Sequence, residues 1–117
     1  MRVLIVEDEM VLSMQMQMLV EDLGFEVEGP HATVGAAQKA VDGAAAIDCA
    51  LLDVSLRGET VWPVADALVA RNVPFALTSG RNASDVEPRF KGRPVFVKPV
   101  DERAIQKFLK DAAAARA

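Results

Sequence analysis

Four short apolar runs alternate with longer stretches of helical periodicity, and each run ends on a polar side chain. Val3-Leu4-Ile5-Val6 runs into Glu7-Asp8, Cys49-Ala50-Leu51-Leu52 into Asp53, Phe75-Ala76-Leu77 into Thr78, and Val95-Phe96-Val97 into Lys98. Runs this short, bounded by polar or turn residues, read as strands of a parallel sheet. Leu12, Met16, Leu19, Val20 and Leu23 recur at helical spacing over about 10–23, with Gly24 placed as a stop. The methionines at 10, 14, 16 and 18 read first as core residues of a helix that is apolar on more than one side, and otherwise as a soft partner surface. Residues 25–28 alternate like a partly exposed strand ending at Gly29-Pro30, and Thr33 can cap an alanine-rich helix over about 34–45. Leu56-Arg57-Gly58 reads as a loop before a helix over about 60–71, with Pro63 in its first turn. Ser84 to Glu87 fits a capping box, yet Pro88 follows at once, so any helix over about 82–91 must be short or distorted. Asp101 caps a final helix on which Ile105, Phe108, Leu109 and Ala112 share one face.

The order is βαβαβαβαβα, and right-handed crossovers between parallel strands pack it as a doubly wound (βα)5 three-layer α/β sandwich. In an open parallel sheet, ligands bind beyond the carboxyl ends of the strands. That rule gathers Glu7, Asp8, Asp53, Thr78 and Lys98 on one edge. The residue types suit phosphoryl chemistry. A carboxylate can attack phosphorus to form an acyl phosphate. Its charge repels the incoming anion, so a metal must neutralise both. Clustered hard oxygens suit Mg²⁺, and a lysine supplies a fixed point charge for phosphate.

Composition narrows the picture. The 117 residues, 51% hydrophobic, predict one domain over 1–117 with a true core. Residues 1–53 carry ten acids against Arg2 and Lys39, whereas 54–117 carry seven acids against eleven bases. The acidic clustering repels nucleic acid, and the bases are spread without aromatic interleaving, so no nucleic-acid partner is expected. Cys49 is the single cysteine, which excludes an internal disulfide, and its apolar surroundings make it a small buried hydrophobe. No stretch approaches a membrane span and no leader pattern opens the chain, so a cytoplasmic protein without a membrane partner is expected. His31, the only histidine, reads as an exposed loop residue with no second imidazole for a metal pair.

Leu4-Ile5-Val6-Glu7-Asp8-Glu9, Leu51-Leu52-Asp53, Thr78 after the fourth long strand and Val97-Lys98-Pro99 fall in order along the chain. Together they resemble bacterial response-regulator receiver domains (CheY-like) over essentially the whole length. The resemblance implies a flavodoxin-like strand order 2-1-3-4-5. It implies that Asp53 accepts a phosphoryl group from a histidine kinase or histidine phosphotransfer protein. Glu7, Asp8, Asp53 and the backbone carbonyl of Ser55 would hold Mg²⁺, and Thr78 and Lys98 would contact the phosphoryl oxygens. The donor histidine would come from the partner, and the chain would be a phosphoacceptor, not an enzyme. With no output domain in these 117 residues, output is expected through protein contact, relay or a phosphate sink. A downstream protein is expected near 79–110.

Many receivers carry an aromatic residue three positions before the strand-five lysine; here it is Val95. That departure, with Pro74-Phe75 and Gly58-Glu59-Thr60, is similar to the stand-alone "FAT GUY" receivers of stress signalling, although their Phe-Ala-Thr-Gly reads Ala76-Leu77-Thr78-Ser79 here. The residues also leave open a pseudo-receiver that only docks, and a small phosphohydrolase with an aspartyl nucleophile. The segment 79–93, with Gly80, Pro88 and Gly92, is expected to have low local stability.

Overall fold

Alternation along the strands decides which layer each residue joins. The structure, a computed structural model, describes residues 1–43, 46–80 and 86–116. Strands β1 (Arg2–Val6), β2 (Glu26–His31), β3 (Cys49–Asp53), β6 (Phe75–Ser79) and β7 (Val95–Val97) form a parallel sheet in the order β2-β1-β3-β6-β7. With the small β4–β5 hairpin set aside, this is the expected order 2-1-3-4-5. Helices α1 (Met10–Asp22) and α4 (Glu102–Arg116) cover one face; α2 (Val34–Asp42) and α3 (Trp62–Ala70) cover the other.

Val3, Ile5, Cys49, Leu51 and Ala76 pack with Met16, Leu19 and Val20 of α1 and with Ile105 and Leu109 of α4. Their neighbours Leu4, Val6, Ala50, Leu52, Phe75 and Leu77 pack with α2 and α3. β3 and β6 are buried at every residue, which is why they read as continuous apolar runs. Burial pushes the Cys49 thiol up to about 12, so it stays a protonated core group.

Several expectations change. Only Met16 of the four helical methionines is buried; Met10, Met14 and Met18 are exposed. Positions 10, 14 and 18 form one i, i+4 stripe, and that stripe faces water. β2 does not stop at Gly29-Pro30 but continues to His31. Gly29 has φ +103, and a Cβ there would lie 2.7 Å from the His31 nitrogen and 2.9 Å from the Ile5 carbonyl oxygen. Only glycine fits this register shift against β1. His31 is therefore a half-buried strand residue, paired with Glu28 at 2.9 Å, not an exposed loop residue.

The expected loop at 56–58 is a tight hairpin, β4 (Ser55–Leu56) with β5 (Glu59–Thr60), turning on Arg57 at φ 50 and Gly58 at φ 83. Two positive φ values in succession make the primed turn that suits strand twist. α2 ends at Asp42, since Gly43 is extended.

Between β6 and β7 the described residues hold one 3₁₀ turn, Pro88–Phe90; Ser84 and Asp85 of the capping box lie outside the described residues. The second half of this segment docks more apolar side chains than the sequence pattern suggests. Val86 and Phe90 are buried in the core. Phe90 stacks on Trp62 with centroids 5.3 Å apart and meets Phe75 edge-on at 5.9 Å. Arg89 pairs with Asp66 of α3 at 2.9 Å.

This aromatic cluster anchors the crossover to α3. Phe90→Ala is expected to cost about 3–5 kcal/mol, the usual loss for a buried phenyl ring. Urea unfolding followed by the fluorescence of Trp62, the single tryptophan, measures it.

Candidate functional site

The strand ends place the site residues by the same alternation that builds the core. Positions 3, 5 and 7, then 49, 51 and 53, then 76 and 78, then 96 and 98 continue the α1–α4 face beyond the apolar layer. Asp53 stands opposite Thr78 in register, and Thr78 opposite Phe96. Glu7 is fixed by its backbone: its N–H donates to the His31 carbonyl at 2.9 Å, a bond that the Gly29 bulge makes available. Lys98 is fixed likewise, its N–H donating to the Ser79 carbonyl at 2.8 Å.

All five residues expected at this edge come together, although they differ in setting. Glu7 is 2% exposed, Asp53 5% and Thr78 0%. The Lys98 ammonium lies 3.2 Å from Asp53 Oδ2, 3.3 Å from Glu7 Oε1 and 2.9 Å from Glu9 Oε2. Glu9 is the residue that sequence reasoning passed over as a lysine partner. Its place in the Glu7-Asp8-Glu9 run was visible, but its reach to a lysine 89 residues on was not. The Glu9 N–H also donates to Glu7 Oε2 at 3.0 Å. Asp8 Oδ2 accepts the N–H of Arg57 at 3.1 Å, which ties the hairpin to the acid pair. Ser55 follows Asp53 closely, and its N–H makes a long contact of 3.4 Å to Asp53 Oδ1.

Burial dominates the electrostatics. It raises the Glu7 carboxyl to about 7, and the nearby charge of Asp53 adds to the effect. Burial also holds Asp53 above the usual carboxylate range, despite hydrogen bonding with Glu7 and the nearby Lys98. Desolvation pulls Lys98 down, but hydrogen bonding to Glu9 and the charges of Asp53 and Glu7 outweigh it and keep the ammonium protonated. Among the described residues, the Thr78 hydroxyl and Glu7 Oε1 are buried without a hydrogen-bond partner.

Carboxylate oxygens of Glu7, Asp8 and Asp53 lie within 4.8 Å of one another. Three hard oxygens so close, with a buried Glu7 oxygen that makes no hydrogen bond beside them, fit a divalent cation such as Mg²⁺. Val95, where an aromatic was missing from the sequence pattern, packs on the α2–α3 side of the sheet. The aromatic bulk of that layer comes from Trp62, Phe75 and Phe90.

No protein-family model matches the sequence, and none of the curated proteins does. Among solved structures the chain is similar to SdrG from Sphingomonas melonis Fr1, with 40% identity, a TM-score of 0.80, and coverage of 96% of this chain and 95% of that one. The BeF3-activated conformation of SdrG from Pseudomonas melonis Fr1 matches with 40% identity and a TM-score of 0.72, over 93% and 92% of the two chains. The REC domain of the Erythrobacter litoralis PhyR response regulator matches with 27% identity and a TM-score of 0.82, over 96% and 88%.

The raised Glu7 sets a pH dependence. The folded state holds this proton above pH 4.5, where the unfolded chain releases it, so metal-free stability falls as pH rises from about 4.5 through 7. Glu7→Gln removes the ionisation. Its urea midpoint should gain on the wild type across that window and level off above it; a gap independent of pH would show that Glu7 is not the titrating group.

Proposed function

The chain belongs to the response-regulator receiver (CheY-like) domains, and on that premise we propose that Asp53 accepts a phosphoryl group from a phosphohistidine. The donor is a histidine kinase or a histidine phosphotransfer protein. The observation that carries this reading is the placement of Asp53. It ends β3 beside Lys98 at 3.2 Å and opposite a buried Thr78 whose hydroxyl lacks a partner among the described residues.

An Asp53 oxygen attacks phosphorus, the P–O bond forms as the P–N bond to imidazole breaks, and the bonding pair leaves with the imidazole nitrogen. Glu7, Asp8, Asp53 and the Ser55 carbonyl would hold Mg²⁺, which would supply neutralisation of the two anions that meet there. Lys98 pairs with a phosphoryl oxygen and Thr78 donates its hydroxyl proton to another. Position 55 is Ser, so the second acid that an aspartyl phosphohydrolase uses to protonate its leaving group is lacking. We therefore read the chain as a phosphoacceptor, not an enzyme acting on separate substrates.

The exposed stripe of Met10, Val11, Met14 and Met18 supports docking of the donor along α1. A groove of about 510 Å³ between α1 and α4 reaches Glu9 and Lys98 at the site itself. Output through a protein partner near 79–110 is supported by the bases Arg89, Lys91 and Arg93 beside β7. No helix among the described residues is long and apolar enough to cross a membrane. The match to the "FAT GUY" receivers stays with Pro74-Phe75 and Gly58-Glu59-Thr60.

Intact mass after incubation with acetyl phosphate and Mg²⁺ tests the reading. The wild type should gain one phosphoryl group and Asp53→Asn none; an unchanged wild-type mass would remove the proposal. Thr78→Ala should still be labelled yet lose partner binding. Mg²⁺ should raise the melting temperature, with about 2.7 kcal/mol gained at one hundred times the dissociation constant. Asp8→Asn should lose most of that gain, and an equal response in both proteins would exclude Asp8 as a ligand.

A further inference from the structure

Lys98 is fully committed. An ammonium has three N–H donors and no more. Here they donate to three carboxylates, those of Glu7 (Oε2), Glu9 and Asp53, at 3.4, 2.9 and 3.2 Å. A new anion at Asp53 can receive an N–H from Lys98 only if one of these partners gives way. Asp53 is the attachment point and stays. The Glu7 side chain is wholly buried, and sending it into water would require the sheet edge to open. The Glu9 side chain is 62% exposed and can turn into solvent at once. Although Glu9 is the N-cap residue of α1, its side chain makes no capping hydrogen bond, so the helix does not hold it in place. Its shortest partner is Lys98.

We infer that Glu9 is a displaceable stand-in for a phosphoryl oxygen, a positioning residue that holds the Lys98 ammonium ready and competes with the phosphoryl group for it. The inference rests on the phosphoacceptor reading of Asp53. Glu9 keeps the ammonium aimed at the site when no phosphoryl group is present. The same contact opposes retention of the phosphoryl group, because each approach of Glu9 to Lys98 loosens the grip on the bound oxygen. The strength of this one exposed ion pair then tunes how tightly the site keeps its anion.

Beryllofluoride in saturating Mg²⁺ is the probe, since it reads anion binding without any transfer reaction. Calorimetric titration compares the wild type with Glu9→Gln, which keeps the shape and removes the charge. The variant should bind about two- to fivefold more tightly at low salt, the range an exposed pair of this kind supports. The advantage should shrink at about 1 M salt, where the ion pair is screened. Glu59→Gln removes one charge from the hairpin after Asp53 without touching Lys98, and should leave the affinity unchanged. Equal or weaker binding by Glu9→Gln would overturn the inference, as would a gain that ignores salt or is matched by Glu59→Gln. Mg²⁺ titrated alone should bind both proteins similarly; loss of Mg²⁺ affinity in Glu9→Gln would make Glu9 part of the metal site and overturn its role as a competitor. A wild type that fails to bind beryllofluoride would overturn the phosphoacceptor reading itself. A wild type that binds while Glu9→Gln gains nothing would overturn only the role of Glu9.

Discussion

The Lys98 ammonium allows the carboxyl edge of this sheet to hold two buried acids side by side. Removing a carboxylate from water costs several kcal/mol unless an opposite charge and hydrogen bonds replace the lost solvent. Glu7 and Asp53 lie almost entirely out of water, and Lys98 is the cation between them. That lysine comes from the edge strand β7, and its position depends on the backbone bond from Lys98 to Ser79. Compensation is incomplete, as the raised Glu7 and Asp53 carboxyls show. With Asp8 added, the cluster has the oxygens to hold a divalent cation.

Period two along the strands links this edge to the core. Residues that bury apolar side chains against α1 and α4 are followed, two positions on, by the residues of the site. The apolar layer thus forms the floor of the site, and no separate scaffold is needed to aim Glu7, Asp53, Thr78 and Lys98 at one another. The opposite face holds Trp62, Phe75 and Phe90, which fasten the crossover between β6 and β7 to α3. Rigid packing there and polar tension at the edge sit on opposite sides of one sheet.

The parallel sheet and the gathering of five site residues were legible because each rests on local signals: short apolar runs, their polar ends and the rule that ligands sit at the carboxyl edge. The strand order came only with the resemblance to receiver domains. What escaped the sequence depends on distance or on backbone geometry. Glu9 meets Lys98 only through the fold. The extension of β2 to His31 needs a left-handed Gly29, and a Gly-Pro pair signals a break more readily than a bulge. The hairpin after Asp53 turns on Arg57-Gly58, and arginine is not among the residues that announce a positive φ. The methionines of α1 misled for a simpler reason: a helix apolar on several sides does not reveal which side meets water.

Two groups that the proposed reaction needs are out of balance in opposite senses. Thr78 has a buried hydroxyl with no hydrogen-bond partner among the described residues, which leaves a donor unused at a cost of about 1–3 kcal/mol. Lys98 has no donor to spare, because its three N–H groups are all taken by carboxylates. A compact anion with several oxygens beside Asp53 would relieve both at once, taking the hydroxyl proton of Thr78 and one N–H of Lys98. Either residue alone would favour such an anion only weakly. Because β6 and β7 are paired in register at Thr78 and Phe96, the two donors are carried on one hydrogen-bonded ladder.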